Sequence, residues 1–246
     1  MTIHVINPHY AARTQRAANT TAVMPIIPRN SSPVPHLTSL YHFKDPGDYG
    51  DRSYPGNCGG NLIRDLLRYF KPTQVFDPMT GSGTCRDVCQ ELTIECLSTD
   101  LKAGFDACDP SSYQFDRKFD FIWAHPPYWR MKIYNDSSKC LSAEATLEGF
   151  NRRYRQFIQN CASVLAPGGK FAILMGDYSD RQHGFVPLVH HTKRLAFEVG
   201  LTQHCTDIIR FSHGATSGYK SYRSSFIPGL HDVCMIFVKP QVDVCH

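Results

Sequence analysis

Two turns in this chain of 246 residues carry residue types that suit chemistry on a bound ligand. The first, Asp77–Thr84, reads Asp-Pro-Met-Thr-Gly-Ser-Gly-Thr and follows a short apolar run that is typical of a buried strand. Gly81 and Gly83 allow the main chain to approach a ligand closely, and the helix that follows offers unpaired N–H groups. The turn matches neither the phosphate-binding loop nor Gly-x-Gly-x-x-Gly. An empty strand-to-helix turn is the alternative.

Asp100 lies about twenty residues further on, at the end of the next expected strand, Glu95–Thr99. A carboxylate at this place can accept hydrogen bonds from both hydroxyl groups of a ribose. Taken alone, it could equally cap its own turn. Together with the glycine-rich turn, it favours a nucleoside-containing ligand.

The second turn reads His125-Pro126-Pro127-Tyr128-Trp129 and directly follows the apolar run Phe119–Ala124. Two successive prolines fix the backbone and prevent the strand from continuing, so the turn is rigid. They also leave carbonyl groups without competing neighbouring N–H groups, and the aromatic side chains offer a surface on which a base can stack. A simple Pro-Pro linker is the less favoured interpretation, because it rarely begins at the end of a core strand.

The elements that must hold these turns alternate between strand-sized and helix-sized patterns. Alternation of this kind predicts an α/β fold with a doubly wound, parallel sheet. The expected helices are Asn61–Phe70, Cys85–Leu92, 150–165 and Phe185–Val199, and the expected strands are Gln74–Phe76, Glu95–Thr99, Phe119–Ala124, Lys170–Met175, Thr206–Phe211 and Val233–Val238. Residues 101–118 could add a short edge strand.

The two turns, taken as a pair, resemble the motifs of the S-adenosylmethionine-dependent DNA amino-methyltransferases, which act on adenine N6 or cytosine N4. The order of the motifs is that of the non-permuted members, and the resemblance covers roughly residues 40–240. It implies a Rossmann-like, seven-stranded methyltransferase sheet with helices on both faces. It also implies S-adenosylmethionine as cofactor, held by Tyr54, Pro55, Gly56, Asn57, Asp77, Pro78, Gly81, Gly83, Thr84, Asp100 and Asp106.

The resemblance assigns catalysis to His125, Pro126, Pro127 and Tyr128, with one departure from the family pattern. The family usually has Asp, Asn or Ser where this chain has His125. In the implied chemistry, the target amino group donates hydrogen bonds to this side chain and to the Pro126 carbonyl, while Tyr128 stacks on a flipped base. Neutral imidazole can accept one such bond and imidazolium cannot. We therefore expect activity to fall as the pH drops through about 6.5, unless His125 is only structural.

Several other residues are candidates for contact with the target. Arg210–Arg223 mixes cations and aromatic side chains, a composition that suits nucleic-acid binding. Arg152, Arg153 and Arg155 are expected to form a solvated helix face. No histidine has partners at metal-ligand spacing, so no metal is expected. The expected substrate-binding residues are Trp129, Arg210, Tyr219, Lys220, Tyr222 and Arg223.

Composition limits the remaining possibilities. The net charge of +4 permits a polyanionic partner, and the ten cysteines are too sparse for a disulfide-stapled fold, so reduced thiols and a cytoplasmic protein are expected. No apolar stretch is long enough to span a membrane. Residues 1–40 are expected to be a flexible or wrapping arm that grips DNA, and residues 41–246 one catalytic domain with target-contacting loops at 130–148 and 178–230.

The function expected from these features is site-specific DNA methylation through base flipping, with adenine N6 favoured. Cytosine-N4 methylation, methylation of RNA or of a protein glutamine, and a non-catalytic nucleic-acid-binding module remain alternatives. Monomer and homodimer are both open, as are the recognition sequence and the existence of a restriction partner.

Overall fold

The computed structural model describes residues 27–42, 45, 47–211, 227 and 229–241. Four helices and ten strands lie within them. The helices are α1 (Asn61–Phe70), α2 (Thr84–Glu91), α3 (Leu147–Val164) and α4 (Leu188–Glu198). The strands are β1 (Leu40–His42), β2 (Gln74–Asp77), β3 (Glu95–Ser98), β4 (Phe119–Ala124), β5 (Leu165–Met175), β6 (Tyr178–Asp180), β7 (Gly184–Val186), β8 (Thr202–Gln203), β9 (Ile208–Phe211) and β10 (His231–Val238).

Seven strands form one continuous sheet in the order β3-β2-β4-β5-β10-β9-β1, and the two-residue β8 pairs with β10. The pairs β2–β3, β2–β4, β4–β5 and β1–β9 are parallel, whereas β10 runs antiparallel to both β5 and β9. The start of β10 therefore lies at the same edge of the sheet as the carboxyl ends of β2, β4 and β5.

Alternate residues of the central strands enter two separate cores, as the twofold periodicity of a strand requires. Ile122 of β4 packs with α3 and α4 on one face, while its neighbours Phe121 and Trp123 pack with α1 and α2 on the other. Helices thus cover both faces of the sheet, and the α/β, Rossmann-like fold expected from the sequence is confirmed.

Some boundaries differ from those expected. The last helix begins at Leu188 rather than Phe185, because Phe185 belongs to the β6–β7 hairpin. Residues 101–118 contain two short 3-10 turns, Leu101–Ala103 and Pro110–Tyr113, in place of an edge strand. In each turn an aspartate caps the main chain, which favours a compact loop over an extended one.

The described part of the expected N-terminal arm packs against α1. Val34 is buried, and β1 adds to the edge of the sheet beside β9. The buried carboxylate of Asp65 on α1 accepts a hydrogen bond from Tyr41 at 2.7 Å and contacts the His36 ring at 2.8 Å. Residues 1–26 of the expected arm lie outside the described residues. Within the described chain, no helix combines the length and apolarity needed to cross a bilayer.

Candidate functional site

Both turns open onto one cavity of about 590 Å³ at the carboxyl edge of β2, β3 and β4. A volume of this size is typical of small-molecule sites. Of the residues expected to bind cofactor or to act in catalysis, only Gly83 lies outside the lining. The lining includes Tyr54, Pro55, Gly56, Asn57, Asp77, Pro78, Gly81, Thr84, Asp100, Asp106, His125, Pro126, Pro127 and Tyr128.

The glycine-rich turn is shaped by its main chain. Gly81 and Gly83 have φ angles of +50° and +86°, a region that glycine adopts without strain. An added Cβ at Gly81 would lie 3.1 Å from the ring of Tyr54. The Thr80 N–H donates to the Thr99 carbonyl at 2.9 Å, which ties the turn to the end of β3.

The segment before α1 lies over this turn. The Asp51 N–H donates to the Ser82 carbonyl at 2.8 Å, and the Thr84 hydroxyl donates to the side-chain oxygen of Asn57 at 3.1 Å. The Asn57 amide nitrogen donates to the main-chain oxygens of Tyr49 and Asp51. Asn57 therefore holds the upstream segment in place, in addition to lining the cavity.

Two carboxylates face the cavity on this side. Asp100 accepts from the main-chain N–H groups of Lys102 at 2.9 Å and Gly81 at 3.1 Å. Each carboxylate oxygen has two acceptor positions, so Asp100 retains capacity for ligand hydroxyl groups. Asp106 accepts from the Cys108 N–H at 2.9 Å and lies 3.7 Å from the Arg153 guanidinium. Arg153 is therefore paired with acidic groups rather than solvated as expected.

Asp77 begins the glycine-rich turn and is buried. Burial raises the pKa of its carboxyl group well above the usual range, and the nearby Asp100 acts in the same direction. One Asp77 oxygen accepts from the Met79 N–H at 3.1 Å. The residue therefore shapes the turn, and its burial opposes a negative charge there.

On the opposite side of the cavity, four side chains form a hydrogen-bonded chain. The His125 Nε2 lies 3.0 Å from the Tyr128 hydroxyl, which donates to Asp232 at 3.3 Å. Asp232 in turn accepts two bonds from the Arg210 guanidinium, at 2.8 Å and 2.5 Å. Which atom donates at the His125–Tyr128 contact depends on the tautomer of the imidazole.

The electrostatics of this chain keep the protons on Tyr128 and Arg210. Burial and the Asp232 carboxylate raise the pKa of Tyr128 well above its ordinary value, so its hydroxyl group keeps its proton. Burial lowers the pKa of Arg210, but the Asp232 carboxylate outweighs it and leaves that pKa above the usual one. Gly176 provides room for the tyrosine, since a Cβ there would come within 2.6 Å of the Tyr128 ring.

Pro126 is buried beneath the mouth of the cavity and lines it. Among the residues that the structure describes, no main-chain N–H group donates to the Pro126 carbonyl. This agrees with the effect of two successive prolines, which remove the local donors.

Two expected target contacts, Trp129 and Arg210, are buried in the structure. Trp129 is fully buried with φ +46°, and its indole N–H donates to the Glu144 carbonyl at 2.9 Å, so it anchors the following loop and offers no stacking surface. Arg210 is also buried, in the ion pair with Asp232, and its guanidinium additionally bonds to the Cys58 carbonyl. Arg210 borders the cavity, but its ion pair with Asp232 and its bond to Cys58 make it a buried anchor of this side.

The other four expected target contacts, Tyr219, Lys220, Tyr222 and Arg223, lie outside the described residues. The loop 130–148 does lie at the cavity, where Met131, Lys132 and Tyr134 contribute to the lining. Tyr134 stacks on Tyr54 with ring centroids 5.8 Å apart. This loop therefore joins the two sides of the cavity, as a target-contacting loop would.

Sequence reasoning missed Asp232 and Tyr134 as residues of the site. An available signal for Asp232 was a carboxylate directly before an apolar strand, since an ion placed there must find a partner. The tyrosine had no local signal, because its partner Tyr54 lies 80 positions earlier in the chain.

A group of three thiols, which was also missed, lies directly beneath the glycine-rich turn. The Cys85, Cys89 and Cys96 sulfurs all lie within 4.8 Å of one another. Hydrogen bonds from Cys85 and then Cys96 lower the pKa of Cys89 to about 5. The spacing of Cys85 and Cys89 indicates only one turn of helix, and nothing local to them points to Cys96 on the next strand.

No model of a protein family matches this chain, and no curated protein matches its sequence. Solved structures do match. A candidate DNA modification methylase from Thermus thermophilus, complexed with S-adenosyl-L-methionine, is 19% identical over 56% of this chain and 54% of its own, with a TM-score of 0.40. TrmN from Thermus thermophilus is 19% identical over 72% of this chain and 48% of its own, with a TM-score of 0.41.

A third match is the N-methyltransferase NodS from Bradyrhizobium japonicum WM9 in complex with S-adenosyl-L-homocysteine. It is 17% identical over 96% of this chain and 89% of its own, with a TM-score of 0.38. The chain spans about half the length of the first two of these structures.

Proposed function

We propose that this chain is an S-adenosylmethionine-dependent methyltransferase that acts on the exocyclic amino group of a flipped DNA base, with adenine N6 favoured. One observation carries the proposal. The glycine-rich turn with Asp100 and the rigid turn at His125–Tyr128 line the same cavity of about 590 Å³. A ligand of nucleoside type on one side would therefore lie beside hydrogen-bond acceptors suited to an amino group on the other.

The cofactor side fits S-adenosylmethionine in its donor set. Asp100 would accept bonds from the ribose hydroxyl groups, and Asp106 with Phe105 would border the adenine ring. The absence of a Cβ at Gly81 leaves the main chain open to close approach, with Tyr54 over it. When bound, the cofactor supplies an electrophilic methyl group.

The target side supplies what an amino group attached to a base requires. Its nitrogen is a weak nucleophile because its lone pair is delocalised into the ring, and hydrogen bonds from its N–H groups localise that pair. The Pro126 carbonyl is one acceptor. The neutral imidazole of His125, which lines the same cavity, would serve as the second.

The buried Asp232–Arg210 pair fixes Tyr128 through its hydroxyl group, and Tyr128 in turn contacts the ring of His125. The Tyr128 ring is partly exposed in the cavity and would stack on the extruded base. The buried Asp232–Arg210 ion pair thus positions the side chains that would contact the substrate.

The charge around the cavity supports a nucleic-acid target. Four exposed cations, Arg52, Lys102, Lys132 and Lys139, belong to its lining. Cations at the mouth of a site attract the phosphates that flank a flipped base, and they act on any sequence. DNA is preferred to RNA and to a protein glutamine on the strength of the motif resemblance.

The test is methyl transfer from labelled cofactor by the full chain, with duplex DNA, RNA and protein offered separately. The modified DNA is then digested to nucleosides, and mass analysis should identify N6-methyldeoxyadenosine. Tyr128→Ala should abolish transfer, whereas the matched surface change Tyr69→Ala should not. Label confined to RNA or protein would redirect the proposal, and no transfer to any of the three would overturn it.

Calorimetry with S-adenosylmethionine separates the parts of this proposal. Binding with no transfer would limit the chain to a cofactor-binding module. Absence of binding would exclude the enzyme altogether.

A further inference from the structure

The three sulfurs of Cys85, Cys89 and Cys96 converge from two elements that pack together. Cys85 and Cys89 are one turn apart on α2, and Cys96 lies on the adjacent strand β3. All three pairwise distances are within 4.8 Å. Two of the sulfurs belong to buried residues, and the third belongs to a residue that is partly exposed.

This geometry is close to that of a thiolate metal site. A tetrahedral zinc ion with Zn–S bonds of about 2.3 Å holds its sulfurs about 3.8 Å apart. The three sulfurs would need to approach one another by about 1 Å at most. Rotation about the cysteine side-chain bonds supplies a movement of that size without a change in the main chain.

The chemistry of the ligands selects a soft cation. Thiolates prefer Zn²⁺, Cd²⁺ and Cu⁺ over the hard cations that bind carboxylates. A divalent ion is better matched than a monovalent one, because three thiolates leave a smaller net charge around it in a buried place. Cys85 is the second residue of α2, where the helix dipole favours negative charge.

The site borders the large cavity and offers three protein ligands. Cys85 contributes to the lining of that cavity and Cys96 is partly exposed, so the group lies close to solvent on two sides. Within the part of the chain that the structure describes, no fourth histidine, cysteine or carboxylate joins the group. A water molecule would complete the tetrahedron.

We propose that Cys85, Cys89 and Cys96 form a zinc site beneath the glycine-rich turn. On binding, each thiol releases its proton to the solvent as its sulfur forms a bond to the ion, and no oxidant or reductant takes part. None of the three cysteines is among the residues proposed for cofactor binding or catalysis, although Cys85 borders the same cavity, so the zinc site stands whether or not the proposed methyltransferase activity does.

The test uses the full chain, reduced and freed of metal with a chelator, and Cd²⁺ as the spectroscopic probe. Addition of Cd²⁺ should produce a sulfur-to-metal charge-transfer absorbance that saturates at one equivalent, and Zn²⁺ should displace it. Cys96→Ser should lower the absorbance by about one third and weaken binding at least tenfold, because loss even of an outer-shell partner commonly costs about 10–100-fold.

Cys108→Ser is the matched control, since Cys108 is also a partly exposed cysteine but lies outside the group. It should bind Cd²⁺ as the wild type does. Zn²⁺ should raise the melting temperature of the wild type and of Cys108→Ser, but not of Cys96→Ser.

If Cys96→Ser does not fold, cadmium NMR on the wild type still counts the sulfur ligands, and three are expected. A wild-type absorbance that Cys96→Ser leaves unchanged would overturn the zinc site. So would a cadmium signal with fewer than three sulfurs.

Discussion

The two sides of the cavity are held in shape by different kinds of contact. On the side of the glycine-rich turn, the shape comes from main-chain contacts, such as those from Thr80 to Thr99 and from Asp51 to Ser82. On the side of His125 and Tyr128, it comes from a chain of side chains that ends in a buried ion pair. One side is specified by backbone conformation and the other by buried charge.

This difference predicts different sensitivities to substitution. A main-chain turn tolerates many side chains but is strained by a Cβ where φ is positive. A buried ion pair tolerates the loss of both members far better than the loss of one. Four substitutions test this contrast between the two sides of the cavity, from the largest expected effect to the smallest.

Asp232→Ala should be the most damaging change. It leaves the Arg210 guanidinium, which is only 8% exposed, without its carboxylate, at a cost of about 3–5 kcal/mol in unfolding free energy. Urea unfolding measures this. The double variant Asp232→Ala/Arg210→Met should recover much of the loss. Glu198→Ala, which breaks the exposed pairs with Arg194 and Arg155, should cost less than about 1 kcal/mol. Equal costs for the two single variants would contradict the contrast.

Gly81→Ala should have the second-largest effect. It forces alanine into a left-handed conformation, at about 1–2 kcal/mol, and crowds the Tyr54 ring. Calorimetry should show affinity for S-adenosylmethionine reduced by about tenfold, within the usual cost of overpacking. Gly200→Ala carries the same backbone strain, with φ +86°, but its Cβ would meet no atom within 4 Å. A similar loss of affinity in the Gly200 variant would show that strain alone is responsible.

Tyr128→Phe should have a smaller effect, confined to the target side. The ring remains, but the hydroxyl group between His125 and Asp232 is lost. A hydrogen bond of about 1 kcal/mol corresponds to a reduction of roughly fivefold in the single-turnover methyl-transfer rate. Affinity for S-adenosylmethionine should not change. The control Tyr69→Phe, at an exposed residue, should alter neither the methyl-transfer rate nor this affinity. A parallel fall in cofactor affinity would show that the two sides are coupled.

Asp77→Asn should have the mildest effect, visible as a change in the pH dependence of stability. A buried carboxyl group with a raised pKa keeps its proton in the folded state to higher pH than in the unfolded chain, so its burial lowers stability as the pH rises. Asparagine cannot ionise. The unfolding free energy of the Asp77→Asn variant, relative to that of the wild type, should therefore increase from about pH 4 towards neutrality. The exposed Asp116→Asn should show no such trend, and a flat difference for Asp77→Asn would disprove the burial effect.

The same contrast explains which features could be predicted from the sequence. The glycine-rich turn and the Pro-Pro-Tyr turn are local, and each follows a short apolar strand, so their residue types and spacing were sufficient to place them on one edge of the sheet. The order of strands and helices followed from hydrophobic periodicity in the same way.

The errors arose where a residue's environment comes from a distant segment. Trp129 was expected at the surface, but the carbonyl of Glu144 and the hairpin residues Tyr178 and His183 enclose it. Arg210 was expected to contact nucleic acid as part of a cationic and aromatic segment, yet Cys58 and Asp232 bind its buried guanidinium. No local pattern records such partners.

The reversed direction of β10 has a consequence for the order in which the molecule assembles. The hydrogen bond from Tyr128 to Asp232 joins residues 104 positions apart, and it requires β10 to be inserted between β5 and β9. Contacts of such long sequence separation close late in folding, because the entropy of the intervening chain must be lost first. During synthesis on the ribosome, the glycine-rich turn and its strands emerge long before Asp232 does. The nascent protein should therefore be able to form the side of the glycine-rich turn while the side of His125 and Tyr128 is still incomplete, so the proposed methyl transfer would be the last property that it acquires.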